Sequence, residues 1–517
     1  MNNMSNLSRR DFIKLLSLLP FTYFLPAQSK KTIKFDNKSR PMNVLIIVFD
    51  ALSASNVPLF GYRRNTTPKL LEIAKQAIVY HRHYAGGNYT TPGTASLLTG
   101  TYPWTHRAIK LGDGVVKNRA IHNIFNVFPN HQRFAYTHNY NVDHLLYQFQ
   151  NDIEEKENLW ELFLASGRVI SQLFSKDIDA VSIVEGAVFD TSNPSTYSLL
   201  LSRFVKEIID KRSLKVTKDY EDLFPRGLPS FKEKTWEFFI LENAIDWLTN
   251  QIEGCKHPFL GYIHLLPPHD PYRTRKEFID IFNDGWKPDE KPGFFAPDKF
   301  YSNGRANEAR RWYDEYILYV DSEFHRLFNY LQKSGELENT ILIFTSDHGE
   351  MFERGIIGHD TLSMHQPVIH IPLVILHPDQ KEGIDVISPT STVDLLPTLL
   401  YLNGQPIPEW CQGEVLPPFK AKVPKTERSI YALEAKKNPK STSPLTRASG
   451  MIVHGRYKLT KYYGYDELPS GEPLIELFDY ENDPEELENL YPEKRTTAND
   501  LLNELEKQIE EADRPYL

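Results

Sequence analysis

Between positions 43 and 50 the chain reads NVLIIVFD, an unbroken apolar run closed by a carboxylate. Such a run, without alternation, is the pattern of a strand covered on both faces, as in a parallel sheet, and Asp50 marks where it leaves the core. Three more runs follow: PFLGYIHL (258–265), TILIFTSD (340–347) and IPLVIL (371–376). Between them apolar positions recur with the helical period, most clearly in DEYILYVDSEFHRLFNYLQKSG (314–335), which a glycine closes. Four buried parallel strands alternating with helices predict an α/β fold with a large, mostly parallel central sheet flanked by helices. Sheets of this kind bind their ligands beyond the carboxyl ends of the strands.

Residues 134–235 break the pattern. They are helix-prone, charged and aromatic, without polar strand endings, and are expected to form a helical insertion over the rim within a main domain at 42–414. Farther on, RYKLTKYY (456–463), LIELFDYENDPEELENL (474–490) and an amphipathic stretch (498–512) predict a small antiparallel sheet with a closing helix, an α+β subdomain over 415–517. At the other end, SRRDFIK (8–14) precedes LLSLLPFTYFLPA (15–27). Arg9 and Arg10 ahead of a weakly apolar, proline-broken stretch predict a Tat-type signal over 1–27, followed by a linker at 28–41. The alternative is a short amphipathic anchor, since the stretch is too short to span a bilayer comfortably. On the signal reading the protein works in the periplasm, at the cell surface or outside a prokaryotic cell, and meets the membrane only through that signal if it is retained.

Composition narrows the function. With 41% hydrophobic and 25% charged residues in 517, the chain is ordinary globular material, and its net charge of −9 argues against a nucleic-acid partner. Cys255 and Cys411 are far apart and outside any CxxC spacing, so neither a thiolate zinc site nor a disulfide scaffold is implied; one long-range bridge stays open.

The candidate chemistry sits at the strand ends. Asp50, with Asp347 and His348 of SDHGE (346–350), makes a mixed oxygen and nitrogen set for one divalent cation, and zinc or manganese suits it better than calcium or magnesium. In GGNYTTPGTASLLTGTYPWTH (86–106), Thr90 stands two residues before Pro92 at the head of a short apolar segment. It is either a helix N-cap or a nucleophile at the positive end of that helix. His264 and His269 of HLLPPHDPY (264–272) and His359 of GIIGHD (355–360) are candidates to bind substrate, and His269 and His359 to protonate a leaving oxygen. Asp321 and His325 form Asp-x-x-x-His on the long helix, where capping and helix surface explain them better; His365 is not assigned to the site.

In their order and spacing, NVLIIVFDALSASNVPLFGY, TTPGTASLLTGTYPWTH, HLLPPHDPY, YVDSEFHRLFNYLQKSGELENTILIFTSDHGE, HIPLVI, TVDLLPTLLYLNG and the tail at 478–490 are highly specific. From about Met42 to its end the chain resembles the sulfatase branch of the alkaline phosphatase superfamily. The resemblance implies an alkaline-phosphatase-like sandwich, a metal-held nucleophile and a smaller C-terminal subdomain. In sulfatases the loop reads Cys or Ser, x, Pro, x, Arg, and the Cys or Ser becomes formylglycine. Here Thr90 stands at the first position and Thr94 replaces the arginine, Ala51 stands for the usual second aspartate, and His348 for the metal asparagine or glutamine. Those departures match nucleotide pyrophosphatases, phosphoethanolamine transferases and lipoteichoic acid synthases, which use an unmodified threonine and an Asp-His metal pair. By that likeness Asp50, Thr90, Asp347 and His348 hold one cation, His269 contacts the transferred group, and His359 falls near the family's lysine or histidine on the sulfate. A clear second ligand set is missing, although His264, His269 and His359 offer parts of one. The function expected is an exported metal-dependent hydrolase or transferase, working through phosphothreonine at Thr90 on a phosphate ester, a phosphodiester favoured, in a small-molecule, glycan or lipid-linked substrate. The alternatives are a sulfuric ester hydrolase without formylglycine and a non-catalytic binding protein on the same fold.

Overall fold

The main sheet has eight strands. In chain order they are β1 (Asn43–Phe49), β2 (Ile78–Tyr80), β3 (Gln132–Thr137), β4 (Glu155–Lys156), β5 (Phe259–Leu265), β6 (Thr340–Thr345), β7 (Leu373–Leu376) and β8 (Ile384–Val386). Across the sheet they run β8–β2–β7–β6–β1–β5–β3–β4. β1 lies at the centre, parallel to β5 and β6, and every residue of it is buried. This computed structural model describes residues 41–165, 211, 213–231, 237–296, 299–420, 428–469 and 471–517. The predicted export signal and most of the linker, at 1–40, and much of the predicted insertion lie outside the described residues.

Two strand expectations need correction. IPLVIL does form a strand, β7, but it runs antiparallel to both β6 and β2. An apolar run reports burial on both faces and says nothing about direction. Leu373 pairs with Thr345, so β7 starts at the rim where β6 ended. No helix has crossed back over the sheet to begin a parallel strand. Second, the insertion cannot begin at 134. Gln132–Thr137 is β3, an internal strand parallel to β5 with Phe134 opposite Gly261. A Cβ on Gly261 would stand 2.5 Å from the Phe134 ring, so glycine there makes room for the neighbouring strand's aromatic. The strand is short and opens with Gln132 and Arg133, which hides its apolar half in the sequence pattern.

The long helix extends from Asn303 to Ser334, well ahead of the expected start, because its first turns are polar and carry no readable apolar stripe. Its buried face packs on the sheet, with the Phe324 ring 6.2 Å from Phe49 and 4.8 Å from Phe344. At the C-terminal end, Ile430–Glu434, Ala448–His454, Tyr457–Tyr463 and Leu474–Asp479 form a four-stranded antiparallel sheet. The helix Arg495–Asp513 lays Leu501, Leu505 and Ile509 into the same apolar cluster as Ile452 and Leu459. Cys255 and Cys411 are both free thiols, so the long-range bridge is not made. Among the described residues no helix is long and apolar enough to cross a membrane.

Candidate active site

Adjacent strands β6, β1, β5 and β3 deliver polar side chains to one rim. Asp50 directly follows β1, and its backbone N–H donates to Leu265 O at 2.9 Å. One oxygen of its carboxylate, Oδ2, accepts from Asn139 Nδ2 at 2.6 Å and from His264 Nε2 at 3.1 Å. The other, Oδ1, is buried without a hydrogen-bond partner and lies 3.4 Å from His348 Nε2. Asp347 repeats the arrangement. Its Oδ1 accepts from the backbone of Ala51 (3.3 Å) and His348 (3.0 Å), while Oδ2 is buried, unpartnered and 3.6 Å from His348 Nε2. His348 Nδ1 is 2.9 Å from Gly349 O, a contact that places a proton there and makes Nε2, which faces both carboxylates, the ring atom a cation would meet.

Asp50, Asp347 and His348 therefore each offer a donor atom, all within 4.8 Å of one another. Leaving two buried carboxylate oxygens unpaired costs several kcal/mol by order of magnitude. A divalent cation satisfies both, so the donor set fits the group the sequence implies. It is the one cluster of this kind among the described residues, and a second ligand set is not formed there. Charge tells the same story. Burial pushes Asp50 up, but the hydrogen bond of His264, the closeness of His348 and the charge of His269 hold it well below the usual carboxylate range. Burial, and then the Asp50 charge, raise Asp347. Burial opposes the charged form of His348, and the two carboxylates outweigh it. Two carboxylates competing over one buried space is the state a cation relieves.

Thr90 opens the helix Thr90–Thr99, whose N-cap is Tyr89, and no side chain caps that end. The threonine is buried, with Oγ1 3.3 Å from His348 Nε2. It faces the cluster instead of closing its own helix. Gly93 permits the approach: a Cβ there would stand 2.2 Å from Asp347 O. Ala51, where the second aspartate was missing, adopts a left-handed φ of 60° that turns its N–H onto Asp347.

Of the other predicted histidines, His359 and His269 are at the site. The His359 ring is 4.3 Å from the His348 ring and 4.9 Å from His269. Burial, then the neighbouring histidines, keep His359 neutral well below its ordinary pKa. Burial also opposes charge on His269, but Asp270, Asp50 and Glu350 raise it to about 9. His264 is not on a substrate-facing loop. It lies inside β5, fully buried, with one ring nitrogen on Asp50 and the other on the Tyr262 hydroxyl at 2.9 Å, so it holds a carboxylate in place. His365 is held by Ser363 at 2.7 Å and packs against Phe294 and Phe478. Asp321 caps the helix Pro68–Ile73 through the N–H groups of Lys69 and Leu70, both at 2.8 Å, and is buried. His325 lies against Asn329 on the helix.

Sequence reasoning missed Asn139, whose strand was not recognised, and gave Glu350 no role. It also missed Lys436, which reaches the rim from the C-terminal sheet, 2.8 Å from Asp360 and over the Tyr89 ring.

The profile of the sulfatase family matches residues 42–404, and that of the N-sulphoglucosamine sulphohydrolase C-terminal region matches 356–514. An ulvan-active sulfatase of Formosa agariphila is 23% identical over 516 residues, covering 96% of this chain and 86% of its own. A choline-sulfatase of Rhizobium meliloti is 30% identical over 261 residues, 46% of this chain and 47% of its own. Among solved structures, a phosphonate monoester hydrolase of Agrobacterium radiobacter superposes with a TM-score of 0.61 at 18% identity, covering 92% of this chain and 96% of its own. BT4656 in complex with its substrate D-glucosamine-2-N,6-O-disulfate superposes with a TM-score of 0.64 at 17% identity, covering 92% and 98%. The fold they share with this chain is the alkaline-phosphatase-like one.

Proposed function

Because the chain belongs to the sulfatase family of ester hydrolases, we propose that it is a metal-dependent hydrolase or transferase that opens a phosphate ester, a phosphodiester by preference, through a covalent ester of Thr90. The observation that carries this is the Thr90 hydroxyl, 3.3 Å from His348 Nε2, beside two buried carboxylate oxygens that have no hydrogen-bond partner. A divalent cation bound by Asp50, Asp347 and His348 supplies positive charge that eases loss of a hydroxyl proton and offsets charge on the ester. The imidazole in this set favours zinc or manganese over the calcium or magnesium typical of the family.

The protein's own groups do the rest. Asn139 and His264 fix Asp50 by one oxygen so that the other faces His348. The N-terminus of the Thr90 helix presents amides and its dipole to ester oxygens. His269, kept protonated by its acidic neighbours, gives a proton to the leaving alcohol. Water or an acceptor alcohol then displaces Thr90. Threonine lacks the aldehyde hydrate through which formylglycine can expel its ester by elimination, so the ester must be opened at the central atom, as phosphoryl transfer permits. A sulfuric ester is the second reading, supported by a relative across 96% of this chain being a sulfatase. The ligand atoms that converge here argue against a protein that only binds. A small-molecule, glycan or lipid-linked ester, met outside the cytoplasm, is the substrate class we favour.

Thr90→Ala closes the covalent route and is expected to cost several orders of magnitude in kcat, while Thr90→Ser keeps partial activity. Aryl phosphate, bis-aryl phosphate and aryl sulfate are assayed side by side with Mn2+ or Zn2+, and the ester turned over fastest decides the class. A folded, metal-loaded Thr90→Ala protein working at the wild-type rate would overturn the proposal.

A further inference from the structure

Glu350 sits two residues beyond His348, fully buried at the rim. The hairpin of Met351–Glu353 and Ile356–Gly358 leaves from it and returns the chain so that His359 lands on it. Glu350 Oε1 is 3.0 Å from His359 Nδ1, and the Tyr272 side chain lies against the same carboxylate. Burial raises this carboxyl to about 7, while the charges of His269 and His348 favour its ionised form. Once ionised it accepts and cannot donate, so Nδ1 carries the ring proton in this pair. That leaves Nε2 as the acceptor of a ring 4.3 Å from His348, whose own Nε2 is 3.3 Å from the Thr90 hydroxyl.

We propose that Glu350 is a positioning residue: it locks His359 in the Nδ1–H tautomer, so that Nε2 serves as the base for the molecule that releases the product from Thr90. In that step the oxygen of water bonds to the central atom while its proton passes to His359 Nε2. The bond from that atom to Thr90 Oγ1 breaks with its electron pair, and the proton on Nε2 returns to Oγ1. Nothing is oxidised or reduced, and His359 ends as it began. The idea rests on the Thr90 mechanism for its consequence, though not for the tautomer itself. The arrangement follows the general rule that a carboxylate behind an imidazole sets which nitrogen works.

The test has two arms. In the first, protein labelled with 15N-histidine and loaded with Zn2+ is read by long-range proton–nitrogen correlation, the His359 ring being assigned by its loss in His359→Gln. Wild type should show the Nδ1–H form, and Glu350→Ala should lose or mix it. A wild-type ring in the Nε2–H form, or an unchanged ring in Glu350→Ala, overturns the proposal. In the second, Glu350→Gln, His359→Gln and the double variant are compared on the ester the enzyme turns over best, with zinc content and melting temperature measured on each. Glu350→Gln, close in size and the safer folder, should lower kcat about tenfold to a hundredfold with KM little changed. It should add less than about twofold in the His359→Gln background, since a residue acting only through another has nothing left to act on. Equal losses in both backgrounds would mean that Glu350 merely supports the loop, and would also overturn the proposal. If Thr90→Ala retains turnover, the covalent mechanism fails on its own while the tautomer result stands.

Discussion

Gly93→Ala is the smallest change that should separate the nucleophile from its site. The added Cβ would lie 2.2 Å from Asp347 O and 2.9 Å from the carbonyl carbon, both backbone atoms that no rotamer can move. Helix and strand end must part by about 1 Å to reach the shortest separations seen in real structures. Thr90 is one turn away on the same helix, and its hydroxyl is already 3.3 Å from His348 Nε2. A further ångström ends that contact. Misplacement on this scale costs about 100-fold in rate, and overpacking of this kind about 1–3 kcal/mol in stability. The assay pairs kcat on the preferred aryl ester with bound-metal content and a denaturation curve, because the clash falls on the backbone of Asp347 and metal loss must be told apart from displacement of Thr90. Gly254→Ala is the control: it ends the helix Leu241–Gly254 with nothing within 4 Å of the new atom, and should be neutral or stabilising by up to about 1 kcal/mol. Wild-type kcat in a metal-loaded Gly93→Ala protein would refute the reasoning, since the helix would then be free to shift without consequence.

Metal removal should abolish turnover and Zn2+ or Mn2+ should restore it, while Asp347→Asn should lose tight metal binding; full activity in excess chelator after complete removal would contradict this. Stability should fall on acidification, because burial holds His83, His106 and His138 down to about 3. The unfolded chain takes up protons below about pH 6.5 that the folded chain refuses, a loss of about 1.4 kcal/mol per histidine per pH unit. His138 has no hydrogen-bond partner on either ring nitrogen and stacks on Phe239 at 4.2 Å, so His138→Phe should flatten the slope of urea midpoint against pH; an unchanged slope would count against the assignment. The twin-arginine reading predicts that Arg9→Lys with Arg10→Lys strands the precursor in the cytoplasm, and normal export of that variant in a fractionation experiment would discard it.

The features legible in the sequence were those written locally. Asp50 and Asp347 each close an apolar run, so burial and chemistry stand within a few residues of each other, and the α/β class follows from the same runs. What stayed hidden depends on neighbours brought in from elsewhere. His264 reads as the polar end of a strand, and only the pairing of β5 with β1 turns it toward Asp50. Asn139 follows a strand whose apolar half is too short to stand out, and its role too exists only against Asp50. Gly93 looks like a weak point in a helix until the Asp347 backbone is set beside it. The direction of β7 could not be read, because hydrophobicity carries no arrow.

The departures from the sulfatase pattern make sense together once the geometry is known. Ala51 stands where the pattern has a negative charge and Thr94 where it has a positive one, so one charge of each sign is missing from the pattern. His348 replaces an amide with an imidazole whose Nδ1 is tied to Gly349 O, leaving Nε2 where a stronger nitrogen ligand is useful. Asn139 and His264 then spend their donors on one oxygen of Asp50 and leave the other bare. Two unpaired carboxylate oxygens, buried at a cost of several kcal/mol by order of magnitude, mark a place suited to a cation. Beside them stands a threonine that caps nothing and faces His348, and it is that pairing of hydroxyl and cation site on which the proposal of catalysis by Thr90, against a decayed site, rests.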